Sequence, residues 1–456
     1  MQITLREFID ELTGSGLLGD EQITHCLDLC GMDAESGDAE AFAQSLVSAR
    51  TLTSFQADAV MRRRTSALVI GDYHVLGVVG SGGMGQVYKA RHRILDRNVA
   101  IKVMHTAKAA NPQLVQRFYR EARAVARLTH KNIVTAYDAG ETAGGLYLAM
   151  EFVDGDDLSQ IVAARGPLAI DQAVNVTLQA ARGLACAHAN NMVHRDIKPA
   201  NLLLGCDGTV KILDLGLARF TEESEQTSEI SLTMVGKLMG TVEYMAPEHA
   251  ANAKDADHRS DIYSLECTMH RILTGRLPYG GATPVEKLIA QREHPIPLLS
   301  DSIANVPEKL QTAFARMVAK KPADRYQSMD DCIADLQSAV PAAESCDVSG
   351  LVIAHIADEA TAVDVDLAEA PTAIDEAHGP GPATLDAAES LHIKPESDPS
   401  QLELPGQWDP ISEEQTAEIP IAQKAEPNKK LLIAAAAVVL CCTLVGGLVW
   451  RFTRPS

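Results

Sequence analysis

Five short motifs follow one another between residues 80 and 248, and they constrain the fold of this 456-residue chain more than any other feature. The first is the glycine-rich run Gly80-Ser-Gly-Gly-Met-Gly85, and the second is an apolar, β-branched strand that ends in Lys102. The others are His194-Arg-Asp-Ile-Lys-Pro-Ala-Asn201, Asp214-Leu-Gly216 and Ala246-Pro-Glu248. Each motif alone is a weak signal. Their order and spacing together predict one phosphate-binding catalytic unit.

The glycine-rich run predicts a hairpin that covers the phosphates of a nucleotide. Glycine lets the backbone approach a ligand closely, with its N–H groups free to donate. We expect the adenine to contact the backbone around Glu151 and Val153, below Val87 and in front of Met150. The residues assigned to nucleotide binding are Val79, Gly80, Ser81, Gly82, Gly83, Met84, Gly85, Gln86, Val87, Ala100, Lys102, Glu121, Met150, Glu151 and Val153.

Lys102 lies in an apolar strand, so its charge needs a partner. The α- and β-phosphates would supply one, and Glu121, the first carboxylate after Lys102, would supply another from a predicted helix. The alternative is that Glu121 pairs with an arginine of its own helix at the surface.

The motifs at residues 194–201 and 214–216, each with one aspartate, predict the chemistry. Asp196 is expected to accept the proton of an acceptor hydroxyl or to orient that hydroxyl. Asn201 and Asp214 are expected to hold Mg²⁺ through oxygen ligands, which hard cations prefer. Arg195 can pair with a phosphate on the segment before Ala246. The set therefore predicts phosphoryl transfer from ATP, with Mg²⁺ as cofactor.

On these motifs, residues 73–340 resemble a bacterial, eukaryotic-like serine/threonine protein kinase. The resemblance implies an α+β, bilobal protein kinase fold with a small β-rich N-lobe and a large helical C-lobe. It also implies that Lys198 steadies the transferred phosphate and that Thr241 belongs to the catalytic set with Asp196 and Asn201. The helical segment that leads into Gly71 resembles kinases of planctomycete-like bacteria.

Two further contacts are implied by the same resemblance. Glu248 should pair with Arg325, and Asp261 should brace the catalytic loop from a buried helix. Leu215 replaces the usual phenylalanine and keeps an apolar plug. Glu266 stands where glycine is usual, so its carboxylate is expected to reach water or an arginine such as Arg271.

The segment between Asp214 and Glu248 is long and contains a run rich in glutamate, serine and threonine, which predicts a mobile loop. We favour Thr233 as its phosphorylation site, with the phosphate ordering the loop through Arg195. An exposed, unmodified threonine is the alternative. The candidate sites are Thr227, Ser228, Ser231 and Thr233.

Residues 1–66 show apolar residues at helical spacing and predict a small helical module. Its role as a docking element or as a passive extension stays open. Residues 341–428 contain nineteen acidic residues against two lysines, so most of the net charge of −21 lies there. This segment is predicted to be a disordered acidic linker. The overall charge argues against a nucleic-acid partner.

Residues 431–451 are predicted to form a single transmembrane helix. The stretch is uncharged from Leu431 to Trp450 and is bounded by Lys430 and Arg451. Twenty helical residues reach about 30 Å, the thickness of a bilayer core. Because ATP and Mg²⁺ are cytosolic, the kinase region should face the cytoplasm from the cell membrane.

The sequence thus predicts a membrane-anchored signalling kinase that phosphorylates serine or threonine of proteins, including its own activation loop through self-association. One alternative is a pseudokinase scaffold that binds nucleotide without transferring phosphate. The presence of Lys102, Glu121, Asp196, Asn201 and Asp214 argues against it. The other is a small-molecule kinase, which the peptide-docking features Lys198 and Ala246-Pro-Glu248 argue against.

Overall fold

The computed structural model describes residues 3–82, 85–105, 112–142, 145–215, 242–252 and 255–353. The strands are β1 (Val69–Ile70), β2 (Tyr73–Gly82), β3 (Gly85–His92), β4 (Asn98–His105), β5 (Ala136–Thr142), β6 (Gly145–Glu151), β7 (Gly155–Asp157), β8 (Leu202–Gly205) and β9 (Val210–Ile212). The helices are α1 (Leu5–Ser15), α2 (Asp20–Cys30), α3 (Ala39–Ser48), α4 (Ser54–Met61), α5 (Pro112–Ala126), α6 (Leu158–Arg165), α7 (Ile170–Ala189), α8 (Pro247–Ala251), α9 (His258–Thr274), α10 (Pro284–Glu293), α11 (Glu308–Met317) and α12 (Met329–Ala339).

An antiparallel six-stranded sheet, ordered β1-β2-β3-β4-β6-β5, forms the strand-rich part of the chain. Side chains alternate between its faces, as the two-residue repeat of a strand requires. In β4, Val99 and Ile101 are fully buried in a core on one face. Ala100 packs into the cluster on the other face, against Phe118 of α5. The alternation places Lys102 on the same face as Ala100, towards the predicted nucleotide.

The second half of the described chain is helical, with α7 and α9 at the centre of its core. A small sheet, ordered β7-β8-β9, lies in this half. Asn201 directly precedes β8 and Asp214 follows β9 by two residues, so one sheet holds both predicted metal ligands. A strand-rich part followed by a helical part agrees with the bilobal prediction.

Residues before β1 form α1 to α4, which enclose an apolar core of their own. Phe8 of α1 and Phe42 of α3 are fully buried there and meet edge to face, with ring centroids 6.1 Å apart. Val60 of α4 belongs to the same core. Aromatic and aliphatic side chains of this size supply most of the burial that a small helical unit needs.

The folded chain extends beyond the predicted start of the acidic linker at residue 341. Residues 341–345 and 349–351 form 3₁₀ turns, and Ala343 and Val348 are buried in the helical core. Asn175 donates its side-chain amide to the carbonyl of Ala343 at 2.7 Å. The apolar residues among the acidic ones account for the difference, because they pack against α7. The linker from 354 and the predicted transmembrane helix at 431–451 lie outside the described residues, and within those described no helix is long and apolar enough to cross a membrane.

Glu266 differs from its expectation. Its side chain is fully buried in α9, and neither carboxylate oxygen has a hydrogen-bond partner among the described residues. Arg271, the expected partner, donates instead to the carbonyl of Gly275. Burial raises the pKa of Glu266 well above its usual range. Burial therefore favours the neutral form of this carboxyl, since an unpaired buried charge is far more costly.

We expect the stability of Glu266→Gln relative to wild type to be higher at pH 8 than at pH 5. An unfolded glutamate ionises near pH 4.3, so above that pH unfolding releases a proton and wild-type stability falls until the folded pKa is reached. Glutamine has no such loss, and the advantage of the variant at pH 8 over pH 5 should be about 1–3 kcal/mol. Urea unfolding of both proteins at several pH values measures it. Glu308→Gln, at an exposed site, is the control. Parallel stability curves for Glu266→Gln and wild type would contradict the assignment.

Candidate active site

The carboxylate of Asp261 in α9 holds the loop that contains Asp196. It is fully buried and accepts hydrogen bonds from the backbone N–H groups of His194 at 2.9 Å and Arg195 at 2.8 Å. His188 Nε2 contacts the same carboxylate at 2.8 Å. Burial alone would raise the pKa of Asp261, but the hydrogen bond and charge of His188, with the charge of His194, lower it below its usual range. The expected bracing contact is confirmed.

This anchor lets Arg195 keep an uncommon backbone conformation. Its φ of 70° lies in the left-handed region, which costs free energy for a residue with a Cβ. The Asp261 carboxylate stabilises the strained turn by accepting from its backbone N–H. The following residue, Asp196, is turned out of the loop towards Lys198 and Asn201.

Asp196, Lys198 and Asn201 form one hydrogen-bonded group. Lys198 Nζ lies 2.8 Å from Asp196 Oδ2. The side-chain amide of Asn201 donates to the Asp196 carbonyl at 2.7 Å and to Oδ2 at 3.1 Å. The amide nitrogen of Asn201 is thus engaged by Asp196. The three predicted catalytic residues are thus brought together in one hydrogen-bonded group.

Asp214 is tied to the same loop through its neighbour Leu213. The Leu213 N–H donates to the carbonyl of Asn201 at 2.9 Å, and His194 Nε2 contacts the carbonyl of Leu213 at 2.7 Å. Asp214 itself has a φ of 57°, again in the left-handed region. Its carboxylate accepts from Lys102 Nζ at 2.7 Å. A continuous set of contacts therefore connects Lys102 with Asp196.

Glu121 does not make the predicted contact with Lys102. Among the described residues, the only ion pair of Lys102 is with Asp214, and Glu121 accepts instead from Arg120 Nη2 at 3.2 Å. The partner is an arginine of the same helix, as in the alternative, but the Glu121 side chain is buried and does not lie at the surface. A small apolar cavity beside Asp214, lined by Val125 of α5 and by Met150, lies between α5 and the sheet.

The glycine-rich turn has one position that only glycine can occupy. Gly85 has a φ of 142°, and a Cβ there would lie 1.9 Å from the carbonyl oxygen of Val103. A Cβ on Gly80 would meet no atom within 4 Å, so the space over the strand is open to a ligand. Gly83 and Met84 lie outside the described residues.

The other predicted nucleotide residues lie on neighbouring strands. Val87 is opposite Lys102, and Ala100 is opposite Met150. Val153 packs into the same apolar cluster as Ala100 and Met150. These residues form an apolar wall on the face that Lys102 occupies, which suits the flat ring of a base. Val79, Ser81, Gly82 and Gln86 lie along the glycine-rich hairpin.

Besides the Lys102–Asp214 ion pair and the hydrogen bonds of the catalytic group, two further contacts of the site are not predicted from the sequence. Lys211 Nζ lies 2.8 Å from Glu151 Oε1, so a β9 lysine fixes the strand end next to the predicted adenine contacts. His188 meets Asp261 as described above. The available signals were a charged residue inside the apolar run Val210-Lys-Ile212 and a histidine at the end of the buried helix α7.

The contact between Glu248 and Arg325 is confirmed. Arg325 is buried and donates from Nη1 and Nη2 to the two carboxylate oxygens of Glu248 at 2.7 and 2.8 Å. The hydroxyl of Ser260 donates to Glu248 at 2.7 Å. Burial would raise the pKa of Glu248, but the Arg325 guanidinium holds it below its usual range. Thr241 and the candidate sites Thr227, Ser228, Ser231 and Thr233 lie outside the described residues.

The donor set suits a hard cation bound together with phosphates. Asn201 and Asp214 offer amide and carboxylate oxygens, which Mg²⁺ prefers. Within the described residues no cluster of three His, Cys, Asp or Glu side chains could hold a metal. Protein Mg²⁺ sites commonly use one or two such ligands and complete the shell with substrate phosphates and water.

Comparison with known proteins identifies the class. The profile described as "Protein kinase domain" matches residues 73–335. Serine/threonine-protein kinase PrkC of Bacillus subtilis is 36% identical over 274 residues, which are 60% of this chain and 41% of that protein. Serine/threonine-protein kinase PknB of Mycobacterium leprae is 39% identical over 273 residues, 59% of this chain and 43% of that protein. The solved PknI kinase domain of Mycobacterium tuberculosis has 30% identity and a TM-score of 0.47, covering 60% of this chain and 97% of that one.

The chain therefore belongs to the protein kinase family and has the bilobal protein kinase fold. The named relatives place it with the bacterial serine/threonine protein kinases. The chain spans less than half the length of these two relatives.

Proposed function

We propose that this protein transfers the γ-phosphate of ATP to serine or threonine hydroxyls of proteins, with Mg²⁺ as cofactor. The observation that supports this most is the bonded group of Asp196, Lys198 and Asn201, which is joined through Leu213 to Asp214 and Lys102. Phosphoryl transfer needs positioning and charge stabilisation more than covalent chemistry by the protein. A preorganised set of one carboxylate, one ammonium and one amide supplies both.

In this proposal Asp196 orients the acceptor hydroxyl and takes its proton, because its carboxylate is held in place by two neighbours. Lys198, 2.8 Å from that carboxylate, moves onto the transferred phosphoryl oxygens as charge develops there. Lys102 binds the α- and β-phosphates. The glycine-rich turn covers the phosphates with backbone N–H groups. Bound Mg²⁺, held by Asn201 and Asp214, would neutralise charge on the phosphates.

In the proposed active arrangement, Glu121 replaces Asp214 as the ion-pair partner of Lys102. Glu121 and Lys102 are both buried, so each charge needs a partner; pairing them would leave Asp214 free for the cation. Both contacts are required together in protein kinases. The structure thus supports a resting arrangement that differs from the active one by one exchange of ion-pair partners.

The pseudokinase alternative requires a defect in the catalytic set. The described residues instead include a complete and bonded set, with Asp196 partly exposed to solvent and available to a hydroxyl. The small-molecule alternative is disfavoured by the buried pair of Glu248 and Arg325, which fixes the start of α8 and thereby the end of the activation segment.

We also propose that the protein is anchored in the cell membrane with its kinase domain in the cytoplasm. The uncharged, largely apolar stretch from Leu431 to Trp450 supports this, because its length suits one crossing. We propose that self-association brings two kinase domains together for phosphorylation of the activation loop, at Thr233 or its neighbours Thr227 and Ser231. Arg195, whose loop is braced by Asp261, would receive the phosphate.

Asp196→Asn should lower the rate of phosphate transfer from labelled ATP to protein by at least about 100-fold, because a general base is lost while the amide keeps the shape. Asp214→Asn should weaken Mg²⁺-dependent nucleotide binding, which calorimetry measures. Asp330→Asn, at an exposed site in α12, is the matched control. Equal incorporation by wild type and Asp196→Asn would refute the catalytic assignment.

Thr233→Ala should lower kcat by about 10-fold or more if its phosphate orders the activation loop through charge-assisted hydrogen bonds. Phosphopeptide mapping of the purified wild type should find the modified site in the same segment. Thr227→Ala serves as the comparison. Full activity of Thr233→Ala would contradict the assignment.

Deleting residues 431–451 should move the protein from the membrane fraction to the soluble fraction of lysed cells, because the apolar stretch would no longer partition into lipid. A high-salt wash separates an anchored protein from one held by surface charge. Recovery of the intact protein in the soluble fraction would contradict the anchor.

A further inference from the structure

The outer edge of β2 is covered by the helices that precede the kinase domain. The short strand β1 pairs only with Tyr73 and His74 at the start of β2. The next residue, Val75, donates its N–H to the carbonyl of Leu68 at 2.9 Å. The carbonyls of Val75 and Leu76 then face the N-terminus of α4. These elements lie before residue 73, outside the region that matches the kinase profile.

Two side chains at the start of α4, those of its N-cap residue Thr53 and of Gln56, donate to these consecutive carbonyls. The side-chain amide of Gln56 donates from Nε2 to the Val75 carbonyl at 2.9 Å, and this amide is buried. The hydroxyl of Thr53 donates to the Leu76 carbonyl at 2.7 Å. Phe55, between them in sequence, packs against both the helical core and the core of the sheet. The contact therefore combines directed hydrogen bonds with an apolar bridge.

The same two side chains also cap α4. Gln56 Oε1 accepts from the backbone N–H of Thr53 at 2.9 Å, and Thr53 Oγ1 accepts from the backbone N–H of Gln56 at 3.1 Å. This reciprocal arrangement is a capping box, which satisfies donors at a helix start. Each side chain thus uses its oxygen for the helix and its hydrogen for β2. The helix start and the strand cannot shift independently without breaking one set of bonds.

Residue 56 has to satisfy the strand as well as the helix cap. A glutamate fills the same capping position in α1, where Glu7 accepts from the backbone N–H of Thr4 at 2.9 Å. Glutamate would also suit the positive end of the α4 dipole. It has no donor for the Val75 carbonyl, however, and would place a carboxylate against it. Only glutamine satisfies both the cap and β2 at this position.

We propose that residues 3–61 act as a positioning element for the glycine-rich strand and thereby set the affinity for ATP. The capping box of α4 holds β2 at Val75 and Leu76, and the same strand continues to Gly80 and Gly82, where the phosphates are covered. Gln56 and Thr53 are the positioning residues. The inference rests on the proposed use of ATP at this site. It gives the preceding helices a role in the reaction in place of that of a passive extension.

A thermodynamic consequence distinguishes positioning from mere covering of a sheet edge. If docking of α4 favours nucleotide binding, then nucleotide binding must favour docking of α4 by the same factor. If the helices only protect an edge strand from other chains, as edges often require, the two events are independent. The distinction can be measured in the unmodified protein.

Gln56→Glu in the full-length chain should raise the KM for ATP about three- to tenfold, the effect of losing one buried hydrogen bond and adding a repelling carboxylate. The value of kcat should stay near that of wild type, because Asp196 is held by contacts of the helical lobe. Thr53→Ser keeps the hydroxyl that caps the helix and donates to β2, so its KM for ATP should equal that of wild type. Thr53→Ala loses this hydroxyl, so its KM for ATP should be raised.

Thr4→Ala is the matched control for Thr53→Ala. Each removes the first residue of a capping box in the same group of helices, but only Thr53 contacts β2. Both should lower the melting temperature, and only Thr53→Ala should raise the KM for ATP. A lower melting temperature for Gln56→Glu with an unchanged KM would overturn the proposal.

Hydrogen exchange on the wild-type protein tests the reciprocal effect without any substitution. Saturating MgADP should slow exchange of the amides in residues 53–61, where the Gln56 N–H reports on the capping box. Unchanged exchange there, with bound MgADP verified by calorimetry, would overturn the proposal. A wild-type protein with no Mg²⁺-dependent affinity for ADP or ATP would instead refute the proposed function, so the two failures are distinguishable.

Discussion

The catalytic geometry of this protein depends on one buried carboxylate. Asp261 is the point at which the central helix of the helical lobe meets the loop that contains Asp196, and two of its hydrogen bonds end on backbone N–H groups of that loop. A buried anion is tolerated only where such donors compensate its desolvation. Here the same hydrogen bonds that offset the desolvation of Asp261 also stabilise the left-handed turn at Arg195, and they thereby order the loop that contains Asp196.

The order and spacing of the motifs predict the protein kinase fold, which the family match confirms. The resemblance that the motifs carry also implies two contacts that the structure contains, Glu248 with Arg325 and Asp261 with the loop of Asp196. The hydrogen bonds that join Asp196, Lys198 and Asn201 are not predicted by the sequence. Contacts between motifs were less predictable. Whether Lys102 meets Glu121 or Asp214 depends on the position of a whole helix, which local sequence does not determine.

The remaining differences have a common physical cause. Residues 341–353 were assigned to a linker on their acidic composition, yet a few apolar side chains suffice to pack them against α7. The sequence predicts a partner for Glu266, yet tertiary packing encloses the side chain completely and raises its pKa instead. In both cases burial is decided by residues distant in the sequence, and composition within a short window does not report it.

If Asp214 holds the metal as proposed, its ion pair with Lys102 would make the lysine a competitor for that metal. A divalent cation arriving alone would have to displace the ammonium and leave a nearly buried positive charge without compensation. Nucleotide phosphates would remove this conflict by offering the ammonium a new set of oxygens. Binding of the metal and binding of the triphosphate would then be cooperative through the single side chain of Lys102. Metal binding without nucleotide would be disfavoured, and the cation would bind together with the triphosphate.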